Sequence, residues 1–268
     1  GRKIYPLFEP ESGGQVNAEL ERRIQRLEAG DTDDGRADYK SGKGFRARAR
    51  HKGGGRSEFH VKGRGRSGAA RKQDRYRPLG RPEVLKVLQS QDMLPAITFI
   101  FSRAGCDGAL YQCLRSRMVL TSQEEAQEIK NIVDAGVEGI PEEDLQVLDF
   151  KRWREALSRG FAAHHAGMLP AFRHIVEDLF VRGLVRAVFA TETLALGINM
   201  PARTVVLEKL IKFNGEAHVD LTPGQYTQLT GRAGRRGIDT LGNAVVQWAP
   251  AMDPRQVAGL ASTRTYPL

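Results

Sequence analysis

Short apolar runs alternate with amphipathic segments over most of the chain beyond residue 80. The runs at 96–101, 184–190 and 204–207 are almost continuously apolar, which is typical of strands buried on both faces of a sheet. Between them, apolar positions recur at helical spacing, as in the segment that begins at Pro170. Strands that alternate with helices predict an α/β fold with a mostly parallel sheet covered on both faces. Ligands of such folds bind at the carboxyl ends of the strands.

Capping and turn residues locate the ends of several elements. Ser122 with Glu125 forms a capping-box pattern, and Thr222 before Pro223 is a typical helix start. An Asn-Gly pair at 214–215 predicts a β-hairpin turn. The predicted order near the end of the chain is therefore a hairpin, a helix and a final strand.

Residues 30–80 break this pattern. The stretch from 36 to 81 has 16 Lys and Arg against three acidic residues, a net charge of +13, and because the whole chain carries +9 the remaining residues carry −4. It has nine of the 29 glycines and only two large aliphatic residues. Too little apolar surface is present to offset the entropy of ordering, so we predict a basic, largely disordered linker. The sequence leaves open whether this linker binds nucleic acid or is a passive tether.

Cysteine content and hydropathy indicate in which cellular compartment the protein is expected. Cys106 and Cys113 are the only cysteines, and no second pair completes a metal site, so buried free thiols in a reducing cytosol are predicted. No apolar run approaches the roughly 20 residues that cross a bilayer. Adjacent His164 and His165 point in opposite directions on an extended chain, so no metal is expected there. We therefore expect a cytoplasmic protein with no membrane partner.

The most distinctive polar run begins at Gln228. If this run opens as a helix, Gln228, Arg232 and Arg235 share one face. Gly231 and Gly234 lie between them and allow a backbone or a phosphate to come close. Two guanidiniums beside an amide suit phosphate oxygens in a transition state. A basic helix end that interacts with its own dipole is the alternative, but it does not account for the two glycines.

Three further polar runs follow predicted strands directly. They lie at 102–103, 164–167 and 191–193. Their hydroxyls, backbone amides and one arginine are groups that contact a nucleic-acid backbone. The respective alternatives are an ordinary strand end, a structural histidine pair and a strand-to-helix crossover with a threonine cap.

In this order, the runs resemble the motifs of superfamily-2 DExH-box helicases. Residues 99–103 are similar to motif IV, 190–201 to motif V and 228–239 to motif VI, the last in the form typical of the superkiller-like, exosome-associated branch. The His-His-Ala-Gly run at 164–167 also occurs in that branch, and residues 104–107 resemble the actinobacterial HelY helicases. Together the matches span 97–239, more than half of the chain.

The resemblance implies a three-layer RecA-like domain, the second of two in such motors. Residues 1–29 would be the tail of the preceding motor domain with a short helix, 30–80 the linker, 81–250 the second RecA-like domain and 251–268 the start of the following region. Because the chain begins at Gly1, we expect it to be a piece of a longer protein. It contains no Gly-x-x-x-x-Gly-Lys-Ser/Thr phosphate loop, and in this family that loop and the Mg²⁺ ligands belong to the first domain. We therefore expect this chain alone to hydrolyse almost no ATP.

The resemblance also implies roles for individual residues. ATP and its Mg²⁺ would lie between the two domains, with Arg232 and Arg235 as catalytic arginine fingers at the γ-phosphate. Further nucleotide contacts are expected from Gln228, Gly197 and Asn199, of which Asn199 stands where relatives have Asp. Nucleic-acid contacts are expected from the three strand-end runs and the hairpin, namely Ser102, Arg103, His165, Ala166, Gly167, Thr191, Glu192, Thr193 and Phe213.

The implied function is that of the C-terminal motor lobe of an ATP-dependent RNA helicase that moves 3′ to 5′ along a single strand. Its expected partners are RNA, as a single strand or tailed duplex, the first RecA-like domain and RNA-decay machinery, with DNA as a further candidate. The hairpin would part a duplex, although a plain surface hairpin is nearly as good an interpretation. A non-catalytic RNA-binding module and a lobe of a DNA-repair helicase are the alternative functions.

Overall fold

A five-stranded parallel sheet forms the centre of the computed structural model, which describes residues 3–10, 14–29, 78–196, 200–250 and 252–262. Its strands in chain order are β1 (Ala96–Phe99), β2 (Phe161–His164), β3 (Ala187–Ala190), β4 (Thr204–Leu207) and β7 (Asn243–Val246). Their spatial order is β2-β3-β1-β4-β7, and every neighbouring pair is parallel. The predicted linker at 30–80 lies almost wholly outside the described residues, as do Gly197 and Asn199.

Helices connect the strands and cover the sheet. They are α1 (Ala18–Ala29), α2 (Arg81–Ser90), α3 (Arg103–Arg115), α4 (Gln123–Gly136), α5 (Glu142–Val147), α6 (Phe150–Ser158), α7 (Pro170–Val181), a 3₁₀ helix (Glu192–Leu196), α8 (Pro223–Thr230) and α9 (Pro254–Ser262). A separate antiparallel hairpin consists of β5 (Ile211–Phe213) and β6 (His218–Asp220). The predicted hairpin is therefore confirmed, with Gly215 in its turn at φ +108°.

Alternate residues of each central strand face two different apolar cores. In β3, Val188 belongs to one core, whereas Ala187 and Phe189 belong to the other. Helices α4, α6 and α7 supply the first core, and α2 and α3 supply the second. A parallel sheet between two helical layers is the predicted three-layer α/β fold of the RecA-like kind.

The capping patterns in the sequence correspond to helix starts. The Ser122 hydroxyl accepts a hydrogen bond from the Glu125 amide, and the Glu125 carboxylate accepts one from the Ser122 amide. Thr222 and Gln225 form the same reciprocal pair at the start of α8. Because these caps satisfy otherwise unpaired amides, they fix where the helices begin.

The third central strand is shorter than the sequence pattern predicts. The apolar run begins at Leu184, but the strand begins at Ala187. The amides of Leu184 and Val185 donate to the carbonyl of Leu179, at 3.0 and 3.2 Å, and so complete the end of α7. These two residues are apolar because they close a helix against the core, with Gly183 at φ +76° providing the turn.

Candidate nucleotide and nucleic-acid interface

Three of the predicted functional runs meet at the carboxyl ends of the central strands. Strands β2, β3 and β1 are adjacent and parallel, and His164, Ala190 and Phe99 are aligned in register. The amide of Thr191 donates to the carbonyl of His164 at 3.3 Å, so the second and third runs are joined by their backbones. The structure thus brings the runs at 102–103, 164–167 and 191–193 together at the carboxyl ends of the strands.

Arg103 packs against the His-His-Ala-Gly run. A Cβ atom on Gly167 would lie 3.3 Å from Cδ of Arg103 and 3.2 Å from Nδ1 of His165. A larger residue at 167 would therefore displace one of these side chains. Arg103, Ala166 and Gly167 are exposed, so the guanidinium of Arg103 and the backbone amide of Ala166 lie on this surface.

Ser102 has a local structural role as well. Its hydroxyl oxygen accepts a hydrogen bond from the amide of Gly105 at 3.2 Å and so caps α3. The side chain is exposed, and its hydroxyl proton is not needed by the cap. Ser102 can therefore cap the helix and still donate to a ligand at the strand end.

His165 is buried and held by two polar contacts. The amide of Gly167 donates to its Nδ1 at 3.2 Å, and its Nε2 lies 3.0 Å from a carboxylate oxygen of Asp107. Since Nδ1 accepts a hydrogen bond, the neutral ring carries its proton on Nε2 and donates it to Asp107. These contacts connect the run at 164–167 with α3. The 58 positions between Asp107 and His165 carry no sequence signal for this pairing.

His164 points away from this surface into the protein. Its Nε2 lies 2.8 Å from a carboxylate oxygen of Glu177, and its buried Nδ1 has no hydrogen-bond partner among the described residues. Burial lowers the pKa of His164, although Glu177 acts in the opposite direction. The two adjacent histidines thus have different environments, one structural and one beside the exposed run.

The segment at 191–193, directly after β3, has two hydroxyl side chains and a carboxylate. The hydroxyl oxygens of Thr191 and Thr193 lie 3.0 Å apart, and Thr193 is exposed. Glu192 instead pairs with Lys212 of the hairpin, with a distance of 2.8 Å from Nζ to a carboxylate oxygen. The hairpin is consequently fixed to the strand end, and Glu192 is engaged within the protein.

The hairpin presents an aromatic surface to solvent. The side chain of Phe213 is 57% exposed, and its ring centroid lies 5.5 Å from that of His218 on the opposite strand. At the turn, the side chain of Asn214 accepts hydrogen bonds from the amides of Glu216 and Ala217. An exposed aromatic ring on a well-formed turn suits stacking on a nucleobase.

The polar run that begins at Gln228 does not continue as a helix. Helix α8 ends at Thr230, with Gly231 as its cap, and Gly234 has φ +92°. The expectation that Gln228, Arg232 and Arg235 share one helical face is therefore wrong, because the two arginines lie in the turns beyond the helix. Gln228 is exposed near the end of α8.

Gly234 in this run permits close backbone packing, as predicted, because a Cβ atom on it would lie 3.2 Å from Cα of Gly242. A Cβ atom on Gly242 would lie 2.4 Å from the carbonyl carbon and oxygen of Ala233, and 2.6 Å from the amide nitrogen of Gly234. The run is also joined to residue 202, since Ala202 and Ala233 form a parallel bridge. The amide of Gly234 donates to the carbonyl of Ala202 at 2.7 Å. The arginine-bearing turns are thus fixed to the segment that follows β3.

Both arginines have acceptors within the chain. The guanidinium of Arg232 donates to the carbonyl of Ala195 in the 3₁₀ helix. That of Arg235 forms a two-pronged contact with Asp239, in which Nε and Nη2 each lie 2.8 Å from a different carboxylate oxygen. These hydrogen bonds lower the pKa of Asp239 to about 2. Asp239 was part of the predicted run without a role, and its spacing of four from Arg235 is the signal that would have assigned one.

Residues suited to hold a metal ion are not grouped in the described part of the chain, which contains no cluster of three or more His, Cys, Asp or Glu side chains placed for this purpose. Both cysteines are buried and free, and burial raises the pKa of each thiol to about 12. None of the helices among the described residues has the length and apolar character needed to cross a membrane.

Comparison with known proteins agrees with the helicase resemblance of the sequence. Residues 137–237 match the helicase conserved C-terminal domain. The chain is 56% identical over 274 aligned positions to "Probable helicase HelY" of Mycobacterium tuberculosis, covering all of this chain and 27% of the relative. It is 41% identical to human superkiller complex protein 2 over 61% of the chain and 13% of the relative. It is 40% identical to the Arabidopsis thaliana DExH-box ATP-dependent RNA helicase DExH11 over 61% of the chain and 12% of that protein.

The fold and these matches define the C-terminal RecA-like domain of a superfamily-2 helicase. The chain belongs to the superkiller-like branch of the DExH-box helicases, and it is similar to the HelY helicases of that branch. It spans about a quarter of the length of the HelY relative that it matches.

Proposed function

We propose that this chain is the C-terminal motor lobe of an ATP-dependent RNA helicase that translocates 3′ to 5′ on a single strand. In this proposal, ATP and Mg²⁺ are bound by a first RecA-like lobe, and Arg232 and Arg235 act on the γ-phosphate from the second. The observation that most supports this proposal is that the three strand-end runs lie together at the carboxyl ends of adjacent strands. The turns that contain Arg232 and Arg235 are joined to the segment that follows β3.

The residues present fit a shared ATP site. The guanidinium of Arg235 uses Nε and one proton of Nη2 for Asp239. Of its five N–H donors, this leaves three on the Nη1 and Nη2 end for phosphate oxygens. Gln228 is exposed near the same turn and supplies an amide, and Gly197 and Asn199 are proposed nucleotide contacts outside the described residues. Bound ATP with Mg²⁺ would supply the energy for lobe closure.

The strand-end surface suits the phosphate backbone of a single strand. Arg103, the amide of Ala166, and the hydroxyls at 102, 191 and 193 would make sequence-independent contacts to phosphates and sugars. His165 is held by Asp107, and its Nδ1 accepts from the Gly167 amide, so it supports the turn that presents the Ala166 amide. Opening and closing of the two lobes around ATP would then move this surface along the strand.

RNA is the proposed substrate because the similar Arabidopsis thaliana protein is named a DExH-box ATP-dependent RNA helicase. RNA-decay proteins are the proposed partners of the intact helicase, as the resemblance to the exosome-associated branch implies. The cytoplasm is its proposed location.

The test is ATP hydrolysis by an intact helicase that carries this lobe, with RNA and DNA strands of matched sequence. We expect RNA to stimulate hydrolysis more than DNA does, and this chain by itself to hydrolyse almost no ATP. Stronger stimulation by DNA would support a DNA-repair lobe instead. Appreciable Mg²⁺-dependent hydrolysis by this chain alone, or RNA binding by the intact protein without any hydrolysis, would contradict the two-lobe proposal.

A further inference from the structure

The carboxylate of Asp239 accepts three hydrogen bonds from one residue, Arg235. Its two carboxylate oxygens accept hydrogen bonds from Nε and Nη2 of the guanidinium, each at 2.8 Å. One of them also accepts from the backbone amide of Arg235 at 2.9 Å. The Asp239 side chain is only 4% exposed, whereas that of Arg235 is 24% exposed. The carboxylate therefore fixes both the backbone and the side chain of Arg235, and it is itself largely shielded from solvent.

This geometry determines which edge of the guanidinium is free. A carboxylate bound at Nε and Nη2 occupies one side of the planar fork. Within the described residues, Nη1 of Arg235 has no hydrogen bond, and the side chain is partly exposed. The N–H groups that remain, on Nη1 and Nη2, thus lie at the outer end of the side chain and point away from the turn.

A second arginine connects Asp239 to the loop before β1. Nε of Arg203 lies 3.8 Å from Oδ1 of Asp239, and its Nη1 donates to Asp92 at 2.7 Å. The side chain of Asp92 is largely exposed. The carboxylate of Asp239 thus lies between two arginines, a setting that keeps it ionised and lowers its mobility.

We propose that Asp239 is a positioning residue that orients the guanidinium of Arg235 so that its Nη1 and Nη2 end faces the γ-phosphate. This inference rests on the proposed role of Arg235 as an arginine finger. An arginine held by a carboxylate on one edge loses little rotamer freedom when it meets phosphate with the other. Without Asp239, the side chain must be ordered at the moment of reaction, which slows the chemical step rather than weakening nucleotide binding.

The test uses Asp239→Asn in an intact helicase that carries this lobe, with Asp92→Asn as the matched control. Asparagine keeps the size and the acceptor for the Arg235 amide but loses the second carboxylate oxygen and the charge. We expect the variant to lower kcat for RNA-stimulated ATP hydrolysis about ten- to a hundredfold. The KM for ATP and the Kd for RNA should stay within about twofold of the parent values, and Asp92→Asn should leave kcat unchanged.

A binding measurement separates positioning from a general loss of structure. The complex of ADP, Mg²⁺ and aluminium fluoride mimics the transferring phosphate, so its affinity should fall in Asp239→Asn by a factor similar to that of kcat, while the affinity for ADP alone is retained. Asp239→Glu, which displaces the carboxylate by one methylene, should give the same pattern. Equal losses of affinity for ADP and for the mimic would instead show a structural role.

Combining Asp239→Asn with Arg235→Lys distinguishes the positioning role of Asp239 from the arginine-finger role of Arg235. If Asp239 acts through Arg235, Asp239→Asn should cause no further loss of mimic affinity in the Arg235→Lys background. A large loss in Arg235→Lys with unchanged kcat and mimic affinity in Asp239→Asn would overturn the positioning role and leave the finger assignment standing. A higher kcat in Asp239→Asn would also overturn it, because Asp239 would then restrain the finger. Normal turnover in Arg235→Lys would overturn the finger assignment itself.

Discussion

The ammonium of Lys212 lies 2.8 Å from a carboxylate oxygen of Glu192, and this contact fixes the hairpin to the strand end that carries Thr191 and Thr193. The Lys212 side chain is 15% exposed and that of Glu192 is 45% exposed, so solvent screens the pair. Its contribution to stability is therefore of the order of 0.2–1 kcal/mol. We expect its importance to be mechanical, because it connects the strand-end surface to the hairpin.

Removal of this ion pair should uncouple unwinding from ATP hydrolysis. Lys212→Ala and Glu192→Gln in an intact helicase should each lower the rate of duplex unwinding about two- to fivefold, on the scale of a pair contributing up to about 1 kcal/mol. RNA-stimulated ATP hydrolysis should stay close to the parent rate. Parallel unwinding and hydrolysis assays provide the measurement. An equal loss in both activities would show that Glu192 contributes to the motor cycle independently of the hairpin.

Phe213 should matter for strand separation and not for stability. Its side chain is 57% exposed, so Phe213→Ala should change the free energy of unfolding by less than about 0.5 kcal/mol. Loss of base stacking should slow unwinding about tenfold, since stacking contributes about 1–3 kcal/mol per base. Ile211→Ala is the matched control, because Ile211 is an exposed apolar residue of the same hairpin. Comparable unwinding by Phe213→Ala and Ile211→Ala would indicate a plain surface hairpin.

Gly242 should tolerate no side chain. The atoms within 2.6 Å of an added Cβ all belong to the backbone of Ala233 and Gly234, so the clash cannot be relieved by a rotamer change. Gly242→Ala should destabilise the protein by about 1–3 kcal/mol and displace the arginine-bearing turns. Chemical denaturation provides the measurement. Gly108→Ala is the control, because an added Cβ in α3 meets none of the described residues within 4 Å and should stabilise by about 0.5–1 kcal/mol.

His164 should make stability depend on pH. Its pKa is lowered by burial, and protonation would place a proton on Nδ1, for which the described part of the chain provides no acceptor. The unfolded chain therefore takes up this proton more readily than the folded chain once the pH falls below about 6.5. The contribution to stability is complete above that pH and should decline below it by at most about 1.4 kcal/mol per pH unit.

Comparison with His164→Gln isolates this effect. Glutamine retains a donor for Glu177 but does not titrate, so denaturation curves between pH 8 and pH 5 should show a shallower pH dependence for the variant. Identical slopes in the two proteins would mean that another group is responsible.

The fold was accessible from the sequence because each of its signals is local. Continuous apolar runs predicted the buried strands, and the caps at Ser122 and Thr222 located helix starts. The limits of β3 were missed because Leu184 and Val185 are buried in the core but complete a helix end. Burial alone does not distinguish the two, since both demand apolar residues.

The contacts that organise the candidate site are not local. Asp107 and His165 lie 58 positions apart, and Lys212 and Glu192 lie 20 apart, so only the fold brings them together. The pair of Arg235 and Asp239 also gives Arg235 a structural role, which the Arg235→Ala variant would remove. The structure shows that this variant would leave a carboxylate that is 4% exposed without its main partner.

The central claim, that this lobe supplies arginine fingers to ATP held by another lobe, is tested most directly by single-turnover ATP hydrolysis in an intact helicase carrying Arg235→Lys. Lysine keeps a positive charge beside Asp239 but lacks the fork that binds two phosphate oxygens. Arg236→Lys is the matched control, since Arg236 is the adjacent and exposed arginine. We predict a loss of about 10³-fold or more for Arg235→Lys with unchanged ATP affinity, and near-parental hydrolysis for Arg236→Lys. Hydrolysis by Arg235→Lys at the parental rate would contradict the claim.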